Sequence, residues 1–137
     1  MSCSTDRMVR IFDIGRNQVF RTIDMNTSVF SLCKVSDAGV FAAASGDGGL
    51  RLIDTRLEKR AERIREIHNR PTTCVIPSAS HESLFSLGLD GKICETDVRG
   101  RAAKVHEWGH PDLVVKYPMA RIAIDPMGGF IAAGSEN

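Results

Sequence analysis

Residues 106–110 read His-Glu-Trp-Gly-His, which spells the H-E-x-x-H motif. In that motif two histidines one helical turn apart hold zinc, and the glutamate between them works as a general base. The chemistry available to His106, Glu107 and His110 would be metal-assisted hydrolysis. It requires a helix, whereas Gly109 and Pro111 disfavour one and the preceding residues alternate like a strand. Gly46, Gly48 and Gly49 suggest a phosphate loop, but no Lys-Ser or Lys-Thr follows and no helix opens there, so turn geometry is the expected role. Cys74 and His68 could serve as nucleophile and base, yet no orienting partner is identifiable, and burial of Cys74 in a strand is the simpler expectation. The sequence is therefore expected to describe a protein without catalysis, metal or cofactor.

The elements that carry these residues are set by a repeated sentence. Ala44 to Asp54 places a Gly-Asp-Gly-Gly cluster ahead of alternating Leu50, Arg51 and Leu52, the pattern of a tight turn feeding a half-buried strand. The same pattern recurs upstream from Ser4 to Asp13 and downstream from Gly88 to Asp97. Each copy pairs a turn aspartate with a closing aspartate seven residues on: Asp6 with Asp13, Asp47 with Asp54, Asp90 with Asp97. Successive copies are 41 and 43 residues apart.

Between these anchors the sequence predicts strands over Gln18–Asp24, Ser28–Val35, Val40–Ser45, Thr72–Ser78, Leu84–Gly88, Ala102–Glu107, Met119–Ile124 and Gly129–Ser135. An irregular connection is expected from Trp108 to Pro118. Arg56 to Ile67 admits two readings. Leu57, Ala61 and Ile64 fall on one face of a helix, but Glu62 to Ile67 also suits a charged outer strand, which the repeat requires. Met1 leaves no room for strands before the first turn, so the first unit is expected to be partial.

The formal net charge of +1 gives no electrostatic case for a nucleic-acid partner, and no apolar run approaches the length of a membrane span. Cys3, Cys33, Cys74 and Cys94 contain no Cys-x-x-Cys, which fits reduced thiols. The amino terminus lacks the apolar centre of a signal peptide, so a cytoplasmic protein is expected and Asn26-Thr27-Ser28 reads as a chance sequon.

Repeats of about 40 to 45 residues with four short strands each are the signature of propeller blades. With a turn aspartate after a Ser-Gly strand and a closing aspartate, as at Ser45, Asp47 and Asp54, the chain resembles the WD40 family. Phe12, Ile53 and Thr96 stand where the family has the tryptophan of its Trp-Asp pair, and the family's Gly-His survives only as Ile67-His68 and Gly109-His110. In the family that histidine, the turn aspartate, a strand serine or threonine and the tryptophan form one hydrogen-bonded group. Without the indole donor the group is expected to be incomplete in every unit. Glu95 makes the third unit the weakest, since it stands where Ile11 and Leu52 point inward. The stretch from Arg121 through Asp125-Pro126 to Ser135 is similar to the carboxy-terminal propeller of autophagy-related 16-like proteins.

The resemblance implies an all-β, WD40-type propeller fragment: the end of one blade and the next outer strand over 1–24, blades at 25–67 and 68–107, and the start of another at 108–137. His68, His110 and the six aspartates are then structural. The implied function is protein or peptide binding as a scaffold, with autophagosome assembly as the process. Further blades would come from the parent protein or a partner chain, and open edges would make the isolated chain self-associate. Asp54-Thr55-Arg56 and Asp97-Val98-Arg99 also resemble the Asp-x-Arg endings by which some WD40 proteins dock on the cullin-4 ligase adaptor, which makes Arg56 and Arg99 candidate contact residues. The plainer role for both arginines is a surface ion pair.

Overall fold

A computed structural model describes residues 1–57, 62–64 and 67–136. Thirteen strands run in chain order: β1 (Ser2–Cys3), β2 (Met8–Asp13), β3 (Gln18–Asp24), β4 (Val29–Ser36), β5 (Val40–Ser45), β6 (Leu50–Asp54), β7 (Glu62–Ile64), β8 (Thr72–Pro77), β9 (Ser83–Gly88), β10 (Lys92–Asp97), β11 (Ala103–Gly109), β12 (Ile122–Ile124) and β13 (Ile131–Ala133). They form four antiparallel sheets with the orders β1-β2-β3, β4-β5-β6-β7, β8-β9-β10-β11 and β12-β13, and the described residues contain no helix. The protein is all-β.

The sheets stack face to face because their strands are apolar on both sides. In β5, Ala42 and Ala44 belong to one core cluster and Ala43 to the next. In β6, Leu50 and Leu52 join the first of these while Ile53 joins the second, as alternation across a strand requires. Val9, Ile23 and Met25 thus meet Val29, Ala43 and Ile53 between the first two sheets. Ala42, Ala44, Leu50 and Ile64 meet Val75, Leu84 and Cys94 between the second and third. Cys74, Phe85 and Leu87 meet Val115 and Ile122 between the third and fourth. The first strands of successive sheets are neighbours, with β4 against β1 and β8, and β8 against β12. Arg121 binds across them: its guanidinium donates to the carbonyls of Thr73 and Phe30, each at 3.3 Å, and to Pro118 at 3.0 Å.

The turns before β2, β6 and β10 are built alike. The carboxylates of Asp6, Asp47 and Asp90 accept the N–H of Met8, Gly49 and Lys92 at 3.0, 3.2 and 3.3 Å. The residue after each aspartate, Arg7, Gly48 or Gly91, lies in the left-handed region with φ of 69, 81 and 71°. The closing aspartates accept backbone N–H groups from Arg16, Arg56 and Arg99.

Two sequence expectations are corrected, and the outer-strand reading of Glu62–Ile67 holds over Glu62–Ile64. A strand does precede the first turn, since Ser2 and Cys3 pair with Arg10 and Val9. The helix alternative near Ile64 gives way to β7, where Ile64 pairs with Leu50; residues 58–61, 65 and 66 lie outside the described set. The irregular connection begins later than Trp108, because β11 pairs with β10 out to Lys92–Gly109. The expected boundary between 107 and 108 therefore falls inside a strand.

Candidate functional site

A buried polar group lies at the junction of the second and third sheets. His68, on the segment entering β8, directs Nδ1 at the Asp90 carboxylate, at 3.0 and 3.3 Å from its two oxygens, and Nε2 at Ser86 Oγ, at 2.9 Å. A carboxylate only accepts, so Nδ1 carries the proton and Nε2 accepts the Ser86 hydroxyl. Asp90 also accepts the Asn69 N–H at 3.1 Å. The His68 side chain is fully buried, and burial holds its pKa below the ordinary histidine value despite the attraction of Asp90. The group is therefore a neutral imidazole between a carboxylate and a hydroxyl.

Strand geometry brings the three together. Ser86 projects from the middle of β9, Asp90 sits at the β9–β10 turn, and the His68 N–H is tied to Gly48 O of the preceding turn at 3.0 Å. Gly88 lets the imidazole approach: a Cβ there would lie 2.5 Å from both His68 Nδ1 and Asp90 Oδ1. Cys94 closes the far side, its Sγ 3.4 Å from Ile67 O and 3.8 Å from His68 Nδ1. Burial raises the Cys94 thiol to about 11 and the Cys33 thiol to about 12, so both are protonated at neutral pH.

The order Ser–His–Asp is that of a hydrolase triad, but Ser86 has no exposed surface, and a nucleophile must reach a substrate carbonyl. The arrangement holds strands together. Thr96, on the neighbouring strand β10, buries an Oγ1 that has no hydrogen-bond partner among the described residues.

The remaining candidates are dispersed. His106 and Glu107 lie in β11 and point to opposite faces of the strand. His106 binds Glu95 at 3.0 Å and stacks on Trp108, while Glu107 binds Lys104 at 2.8 Å and Lys92. These two ammonium groups bring the Glu107 carboxyl down to about 2. His110 follows the strand, is 70% exposed and accepts the Asp112 N–H. Along a strand, residues four apart are separated by about 13 Å, against one turn in a helix. Among the described residues no group of three His, Cys, Asp or Glu is placed to hold a metal ion. Cys74 is buried in β8, as the simpler reading expected. Gly46, Gly48 and Gly49 form the turn before β6.

Arg56 and Arg99 form matching forks with the aspartates two residues before them, each closing at 2.8 Å, and both side chains are 63% exposed. The forks lower both carboxyls, that of Asp54 to about 2. Ser86 is the member that sequence reasoning missed. Its signal is a single hydroxyl within the apolar run Leu84–Leu87, since a buried polar side chain needs a partner.

No protein-family model matches the chain, and no curated protein matches it significantly. Among the described residues no helix is long and apolar enough to cross a membrane.

Proposed function

We propose that the chain is a WD40-type segment of a β-propeller and acts as a non-catalytic scaffold for protein or peptide partners. The observation that carries this reading is the His68–Asp90–Ser86 group at a junction between stacked sheets, the place and composition of the WD40 polar group. The recurring left-handed residue after each turn aspartate adds to it. Blades hold loops in fixed relation while contributing no chemistry of their own, and such loops are where binding residues collect. A cytoplasmic role in autophagosome assembly follows from the resemblance of Arg121–Ser135, and further blades would come from the parent protein or a partner chain.

A second reading, as a substrate receptor of a cullin-4 ligase, is favoured by the matched, exposed forks of Arg56 and Arg99. Binding assays with the purified chain against a purified autophagy conjugation complex and a purified cullin-4 adaptor separate the two. The first reading expects binding to the conjugation complex that survives combined Arg56→Ala and Arg99→Ala. Binding to the adaptor alone, lost in that double variant, would replace it with the second. Zinc-dependent peptide hydrolysis by the chain would overturn both.

A further inference from the structure

We infer that the Ser86 hydroxyl is a two-position rotor that lets His68 take up a proton while the second and third sheets stay together. With His68 neutral, the hydroxyl donates to the imidazole. With His68 charged, it accepts from the imidazole and donates instead to the carbonyl of Cys94. The inference concerns one side chain between two sheets and is independent of the function proposed above.

The geometry supplies both positions. Ser86 Oγ lies 2.9 Å from His68 Nε2 and 3.5 Å from Cys94 O. A hydroxyl carries one hydrogen and two lone pairs, and a carbonyl oxygen has two lone pairs, so the same three heavy atoms serve both patterns of hydrogen bonds. Only the hydroxyl hydrogen turns. A proton added at Nε2 breaks no covalent bond: it becomes the N–H that Ser86 Oγ accepts, and the hydroxyl hydrogen moves to Cys94 O. The other side of the ring is unchanged, because the Asp90 carboxylate accepts the Nδ1–H in both states, at 3.0 and 3.3 Å from its two oxygens. Without Cys94 O, the charged state would leave a buried hydroxyl donor unpaired, a cost that would oppose proton uptake.

The groups around the ring decide how the charge is held. Asp90 faces it from the β9–β10 turn, with a side chain only 9% exposed. Glu107 and Lys104 face it from β11, joined to each other at 2.8 Å, and Lys92 of β10 binds Glu107 as well. Cys94 of β10 is an uncharged thiol. The second sheet contributes apolar Ala42, Ala44, Leu50 and Ile64, and Asp47, beside the Gly48 carbonyl that the His68 N–H binds, is paired with Arg51. Asp90 and Glu107 favour the imidazolium, whereas burial and Lys104 oppose it. Proton uptake is thereby shifted to lower pH, with acceptors for every N–H of the charged ring already in place.

NMR of the full chain between about pH 7.5 and about pH 4.5, with the imidazole nitrogens and backbone carbonyl carbons labelled, tests the inference. His68 should pass from the Nδ1–H form to the imidazolium in one reversible step while the amide spectrum stays that of the folded chain, and the Cys94 carbonyl carbon should shift with the same midpoint. In Ser86→Ala, His68 should bind its proton about fivefold more weakly, because a hydrogen bond to a charged ring is stronger than one to a neutral ring. Ser86→Thr, which keeps the hydroxyl, should recover the wild-type affinity. A hydroxyl fixed as a donor to Nε2 predicts the reverse, since its removal would strengthen proton binding. Proton uptake that coincides with unfolding, a His68 still neutral at the lowest pH, a Cys94 carbonyl indifferent to the titration, or a Ser86→Ala affinity equal to or above that of the wild type would overturn the inference. The carbonyl measurement is made on the wild type, so it decides the matter even where Ser86→Ala does not fold.

Discussion

The two complete sheets carry the same turn and satisfy its charge differently. In the second sheet Asp47 takes its cation from Arg51, four residues on in β6, at 2.9 Å. In the third sheet Cys94 holds that strand position and Asp90 turns to His68. Met25 occupies the place of His68, since the N–H of each bonds to the residue after the preceding turn aspartate, Met25 to Arg7 O and His68 to Gly48 O. Ala43 stands for Ser86 and Ser45 for Gly88. The difference teaches that the aspartate's work in the turn is separable from its charge partner. A permanent guanidinium serves in one sheet and a neutral, buried imidazole in the other.

The largest expected break in the comparison comes from removing the partners. His68→Ala leaves the nearly buried Asp90 carboxylate without its imidazole and should cost about 3 kcal/mol in urea unfolding, whereas Arg51→Ala should cost about 1 kcal/mol. Equal losses would mean that the two turns are energetically the same. Next, Gly88→Ala should cost about 2 kcal/mol by forcing a methyl group against the imidazole, and much of that loss should vanish in a His68→Met background. Ser45→Ala, at the matching position, should be neutral, because the Ser45 hydroxyl is buried with no partner among the described residues. An unchanged Gly88→Ala penalty in the His68→Met background would place the clash elsewhere.

A smaller effect comes from pH. The His68 pKa is depressed in the folded chain, so below about 6.5 the unfolded chain binds a proton that the folded chain resists. The contribution of the neutral imidazole is complete above that pH and is lost as pH falls toward the folded value. Melting followed from pH 7.5 to 5 should show a decline that is absent in His68→Met; parallel curves would remove His68 as its source. Smallest of all, Arg56→Ala with Arg99→Ala should leave the melting temperature unchanged, since both forks lie on the surface.

Most of the strands were legible because the turn aspartates mark their register. Val40–Ser45 and Lys92–Asp97 fall where alternation and turn residues put them, and so does Gln18–Asp24. What local reading missed is decided by pairing partners distant in sequence. Gly109 and Pro111 argue for a break, yet the Lys92–Gly109 pair carries β11 two residues past the expected end. β1 was hidden for the same reason, since two residues show no period and exist as a strand only against Val9 and Arg10. In the site, His68 and Asp90 were readable as repeat positions. Ser86 was not, because its role appears only when β9 lies beside the segment entering β8.

Arg121 has a consequence of another kind. Its acceptors on Phe30 and Thr73 precede it by 91 and 48 residues, so these bonds form only after long loops have closed. Closing such loops costs chain entropy that grows only slowly with their length, so one side chain can tie together segments far apart in sequence. The guanidinium is thus a latch, joining Phe30 and Thr73 of two successive sheets to the segment that leads into β12.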